Sequence, residues 1–107
     1  MYLFICYANR NRSKTAVEVF QSLARQKGIK KETASAGIST LAEQAVTVAL
    51  LKKAELIFVM EYYMKEQIQN VYDIPAGKII NLNIPDMYER NDPVLVQILR
   101  EEISKYI

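Results

Sequence analysis

The chain has 107 residues, half of them hydrophobic, with a formal net charge of +2, one cysteine and no histidine. That is enough for one hydrophobic core in a single domain over residues 1–107, and the charges, mixed in sign and without a basic block, give no case for nucleic-acid binding. A lone cysteine excludes an internal disulfide framework and suits a reducing, cytoplasmic setting. The lack of histidine excludes His-based triads and most zinc sites, so no metal is expected and proton transfer falls to a carboxylate, a tyrosine or water.

Tyr2-Leu3-Phe4-Ile5 is an unbroken apolar run that stops at Cys6, the pattern of a strand covered on both faces. It is too short for a membrane span and has no basic leader before it, so no membrane partner is expected. From Ser13 to Lys27 the periodicity becomes helical, with Ala16, Val17, Val19, Phe20, Leu23 and Ala24 on one face and Gly28 placed as a left-handed cap. The stretch between, Tyr7-Ala8-Asn9-Arg10-Asn11, therefore joins the carboxyl end of a buried strand to a helix start, where free backbone amides and the macrodipole favour an anion.

Cys6 and Arg12 bracket that loop as Cys-x5-Arg, followed by Ser13. The thiolate is the nucleophilic form of cysteine, and a helix N-terminus beside a guanidinium favours it. The residues from Tyr7 to Asn11 can wrap backbone donors round the oxygens of a phosphoryl group, while the planar fork of Arg12 takes two of them at once. Ser13 can donate to the thiolate or cap the helix, and the sequence does not separate these. By default a lone cysteine at a buried strand end is a small hydrophobe. Arg10 and Arg12 set this one apart, because two cations at a helix N-terminus oppose its dipole unless an anion, such as inorganic phosphate or another oxyanion, lies between them.

Thr33 to Ala36 reads as a second strand on topology more than propensity, and a helix is expected from Leu41 to Lys53 with Ala42, Ala45, Val46, Ala49 and Leu50 inward. Leu56 to Met60 is the clearest central strand. Glu61 to Asn70 is a short helix that buries Met64 and Ile68, leaving at most one of Tyr62 and Tyr63 inside. Pro75-Ala76-Gly77 marks a turn, Lys78 to Leu82 a fourth strand, and Asp92-Pro93 opens the last helix, with Leu95, Val96, Leu99 and Ile103 as its stripe. Strands alternating with helices predict an α/β three-layer sandwich: a four-stranded parallel sheet of order 2-1-3-4 with helices on both faces. Ligands bind at the carboxyl rim where the winding reverses. Cys6 lies on that rim, and Asp86 follows the fourth strand on the same side.

From Cys6 to Ser13, with Asn9 inside and Ala16 shortly after, the chain resembles the signature of the low-molecular-weight protein tyrosine phosphatases. Ser35-Ala36-Gly37 is similar to the end of the family's second strand, Ala54 to Met60 to its third, and Ile84-Pro85-Asp86-Met87-Tyr88 to its acid loop. The chain departs from the pattern at Ala8 for glycine, Asn11 for a second cysteine and Met87 for the proline after the acid, and it is short between Gly37 and Ala54. The resemblance implies a compact relative that hydrolyses phosphotyrosine, in a protein or a small aryl phosphate, without a cofactor. Cys6 would be the nucleophile, Arg12 and the loop from Tyr7 to Ser13 the oxyanion holder, Asp86 the acid and Tyr88 a wall of the pocket mouth. Asp92 can also reach the rim, but as an N-cap it has a structural explanation of its own.

Three rival readings follow from the same loop. Sugar-phosphotransferase B components carry a phosphocysteine after a similar first strand but lack the arginine supplied here by Arg12. Arsenate reductases need further cysteines, and this chain has none. A non-catalytic phosphate-recognition module would bind an anion without turnover.

Overall fold

The computed structural model describes residues 1–107. Four parallel strands, β1 (Tyr2–Cys6), β2 (Thr33–Gly37), β3 (Leu56–Val59) and β4 (Ile79–Asn81), form one sheet in the order β2-β1-β3-β4. The helices are α1 (Arg12–Gln26), α2 (Val48–Lys53), α3 (Tyr62–Tyr72) and α4 (Pro93–Ile103), with short 3-10 turns at Ala76–Lys78 and Ser104–Tyr106. The crossovers from β1 to β2 and from β3 to β4 run in opposite directions along the sheet, so right-handed connections place α1 and α3 on opposite faces. Helix α4 returns to pack on α1. No helix is long and apolar enough to cross a membrane.

Alternation along the central strands sorts the core. Tyr2, Phe4 and Phe58 face α1, where Phe4 stacks on its register partner Phe58 with ring centroids 4.8 Å apart and Phe20 meets the Tyr2 ring edge-on at 5.3 Å. Tyr106 closes this cluster from the last turn, 5.2 Å from Phe58. Met64 and Ile68 of α3 and Leu95, Leu99 and Ile103 of α4 are fully buried, as their spacing predicts, with Val96 half-buried. Both Tyr62 and Tyr63 are exposed. Gly28 has φ +66° and ends α1 in the left-handed conformation expected of it.

The second helix differs from its sequence expectation. It starts at Val48, capped by the Thr47 hydroxyl, which accepts from the Leu50 amide at 3.2 Å, rather than at Leu41. Residues 44–46 instead pair with the end of β2: Gly37 donates to Gln44 O at 2.8 Å, Val46 donates to Gly37 O at 3.0 Å, and Gly37 forms a parallel bridge with Ala45. The backbone pairing wins over the helical spacing of Ala42, Ala45 and Val46, and the helix that remains buries Leu51, leaving Ala49 exposed.

Gly37 is the point where β2 touches the β1–α1 loop. A Cβ there would lie 2.5 Å from Ala42 Cβ, 2.7 Å from Tyr7 O and 2.9 Å from Asn9 N. Gly37→Ala is therefore expected to destabilise the fold by about 1–3 kcal/mol, the usual cost of overpacking. A clear fall in Tm would register it, and an unchanged Tm would show that the loop moves aside freely.

Candidate active site

Strand β1 is buried on both faces, and its last residue, Cys6, is 3% exposed at the carboxyl rim of the sheet. The following loop is held from outside by β2's extension: Ile38 N donates to Cys6 O at 2.9 Å, Ser39 N to Tyr7 O at 3.0 Å and Glu43 N to Ala8 O at 3.4 Å. These bonds occupy the carbonyls of Cys6, Tyr7 and Ala8 and hold the start of the loop against β2's extension. The left-handed residue of the loop is Asn9, with φ 52°, so Ala8 needs no positive φ and its Cβ is accommodated. Behind the loop, Ser13 donates to Asn9 Oδ1 at 2.9 Å and its Oγ stands 3.1 Å from Cys6 Sγ. Ser13 lies inside α1 and does not cap it; its hydroxyl belongs to the network that supports sulfur and loop.

Arg12 opens α1 and is among the largest fully buried side chains of the chain, at 2% exposure. A buried guanidinium needs partners. It donates to Ile84 O at 2.7 Å, lies 3.3 Å from Glu61 Oε1, and its Nε is 3.8 Å from Asp86 Oδ1. Ile84 is itself held by donation from its amide to Met60 O at 2.7 Å. The far end of the Asp86 loop is tied to α1 as well: Asn91 N donates to Thr15 Oγ1 at 3.0 Å, and Arg90 pairs with Glu18. Asp86 is thus suspended between two anchored points, with its side chain 65% exposed.

Together these elements enclose a cavity of about 190 Å³, lined by Cys6, Tyr7, Ala8, Arg10, Asn11 and Arg12 from the loop side and by Asp86 from the other. Asn9 and Ser13 are buried behind this lining. Tyr88, expected at the mouth, is half-buried against the core and does not line the cavity. Asp92 caps α4, accepting from Val94 N at 2.8 Å. Glu61 escaped the sequence reading, which took it only as a helix start. The available signal was its place directly after β3, on the same rim as Cys6. Tyr63, expected with Tyr62 to be a surface contact rather than a catalytic group, is exposed and does not line the cavity; partial burial raises its pKa above the usual tyrosine value, with Glu61 adding to the rise and Arg12 opposing it. A sulfur nucleophile position, a fixed guanidinium and a carboxylate around one small cavity suit in-line transfer of a phosphoryl group.

A family model described as low molecular weight phosphotyrosine protein phosphatase matches residues 2–56. No curated protein matches the sequence. Solved structures superpose along nearly the whole chain. The tyrosine phosphatase Wzb from Escherichia coli K30, in complex with phosphate, is 24% identical with a TM-score of 0.78, covering 98% of this chain and 94% of that one. The low molecular weight protein tyrosine phosphatase from T. tengcongensis is 21% identical with a TM-score of 0.77, covering 98% and 95%. The YwlE arginine phosphatase, a Bacillus subtilis protein whose mutant was solved with a phosphorylated active-site serine, is 18% identical with a TM-score of 0.74, covering 97% and 95%.

Proposed function

The chain belongs to the low molecular weight phosphotyrosine protein phosphatase family, and from that premise we propose that it hydrolyses phosphotyrosine or a similar aryl phosphate through a phosphocysteine intermediate. The observation that carries this reading is the convergence of Cys6, Arg12 and Asp86 on one cavity. Cys6 thiolate attacks phosphorus as the bond to the aryl oxygen breaks, and the leaving oxygen takes its proton from Asp86. The Asp86 carboxylate then takes a proton from water as that water attacks phosphorus, the P–S bond breaks, and inorganic phosphate leaves with the thiolate restored. Throughout, Arg12 and the amides of the Tyr7–Arg12 loop hold the equatorial oxygens, whose charge is best matched in the transition state. Rapid quenching during hydrolysis of an aryl phosphate should yield protein phosphorylated on Cys6. Turnover with Cys6 never modified would overturn the mechanism.

The cavity walls favour an aryl leaving group over a guanidinium. A phosphoarginine side chain, the kind of substrate that the name of YwlE implies, would bring its guanidinium towards Arg10, a like charge. An aryl ring meets no such conflict and has the half-exposed ring of Tyr7 to lie against.

Arg12→Lys tests the oxyanion holder. A single ammonium cannot keep Ile84 O and also present two parallel donors to a phosphoryl group. The loss of kcat/KM is expected to be about 10²–10³-fold, that of one removed transition-state donor, together with weaker phosphate binding by titration. Retention of wild-type phosphate affinity would show that Arg12 serves only Ile84 and Glu61.

A further inference from the structure

Arg10 lines the same cavity as Cys6 and Arg12, and the mechanism proposed above assigns its side chain no role. Its situation is unlike that of the other cations around the rim. Arg12 faces Glu61 and Asp86, Lys14 pairs with Glu43, and Arg90 pairs with Glu18. Arg10 is exposed and takes part in no ion pair or side-chain hydrogen bond. Glu43 lies within its electrostatic range, its carboxyl held below the usual value first by its hydrogen bond to Lys14, with Arg10 and Arg90 adding to the effect. That carboxylate is already taken. The loop thus holds one guanidinium for the phosphoryl group and a second, two positions earlier, with no partner inside the protein.

A guanidinium of this kind is a receptor for a second anion. Its planar fork matches a carboxylate or a phosphate bidentately. The backbone before it is held at Tyr7 and Ala8 by β2's extension, so the ordering left to an arriving anion is chiefly that of the Arg10 side chain. We infer that Arg10 selects substrates that carry a second anionic group next to the scissile phosphate, an acidic residue or another phosphorylated residue beside the phosphotyrosine. This rests on the reading of the site as a phosphotyrosine hydrolase and specifies the sequence context that it prefers.

Three phosphotyrosine peptides that differ at the neighbouring residue, with Gln, Glu or phosphoserine, separate the possibilities. The wild type is expected to favour Glu over Gln by about tenfold in kcat/KM at low ionic strength, the order of one hydrogen bond to a charged group, and to favour phosphoserine at least as much. In Arg10→Gln the ratio should fall to about 1, while Arg10→Lys keeps part of it, since charge remains but the fork is lost. Raising the ionic strength of the wild-type assay to about 1 M, where the Debye length is about 3 Å, should shrink the same ratio without any mutation. Equal wild-type rates on all three peptides, or a preference that survives in Arg10→Gln and at high salt, overturns this inference and leaves the hydrolase intact. Failure to hydrolyse even a simple aryl phosphate overturns both.

Discussion

Cys6→Ser is expected to abolish turnover of an aryl phosphate while leaving affinity for phosphate close to that of the wild type. The proposed cradle consists of backbone amides and Arg12, none of which depends on sulfur. The substitution is close in size, at a position 3% exposed, so the fold should hold. In the proposed mechanism, what disappears is the nucleophile. A serine hydroxyl needs a base to attack phosphorus; the neighbour at Cys6 Sγ is the Ser13 hydroxyl, 3.1 Å away and already donating to Asn9, and the chain has no histidine. Steady-state rates should drop by about 10⁴-fold or more, as when the nucleophile of another covalent enzyme is removed. Phosphate titrations on both proteins provide the control. Comparable kcat in the two would end the assignment of Cys6 as nucleophile.

Asp86→Asn should have the next largest effect, and its size should depend on the substrate. General-acid assistance is worth about 10²–10⁴-fold, so a loss of that order is expected on an alkyl or unactivated aryl phosphate. On nitrophenyl phosphate, whose leaving group needs little protonation, the loss should be much smaller. Asp92 is the internal comparison. Its carboxylate accepts from Val94 N in front of Pro93, so Asp92→Asn should be nearly silent and Asp92→Ala should lower stability by about 1 kcal/mol with kinetics little changed. A kinetic loss at Asp92 with none at Asp86 would exchange the two roles.

The strand order and the meeting of Cys6 with Arg12 were legible in the sequence because both rest on short-range patterns. Unbroken apolar runs mark β1 and β3, and Cys-x5-Arg spans a single loop. Asp86 was legible through topology, since the fourth strand ends on the same rim. The start of α2 was not, because Ala42, Ala45 and Val46 have helical spacing while the bonds of Gly37 to Gln44 and Val46 draw the segment to the sheet edge. The partnership of Glu61 with Arg12 was hidden for a different reason: it crosses between two strand ends that are neighbours only once β1 and β3 have paired. The half-burial of Tyr88 depends on where an irregular loop comes to rest, for which no periodicity exists to be read.

Asp86 follows β4 in the chain, but its loop takes its bearings from α1. Ile84 O holds the first residue of that helix, Asn91 N meets Thr15 one turn further on, and Arg90 reaches Glu18 in the next turn. The loop amides and Arg12 are fixed to the same helix. Asp86 and the Cys6–Arg12 loop therefore share a mounting on α1. The same loop is also tied to the sheet, where Leu82 N donates to Val59 O and Ile84 N to Met60 O, so in the proposed mechanism the alignment for proton transfer is set jointly by α1 and the end of β3.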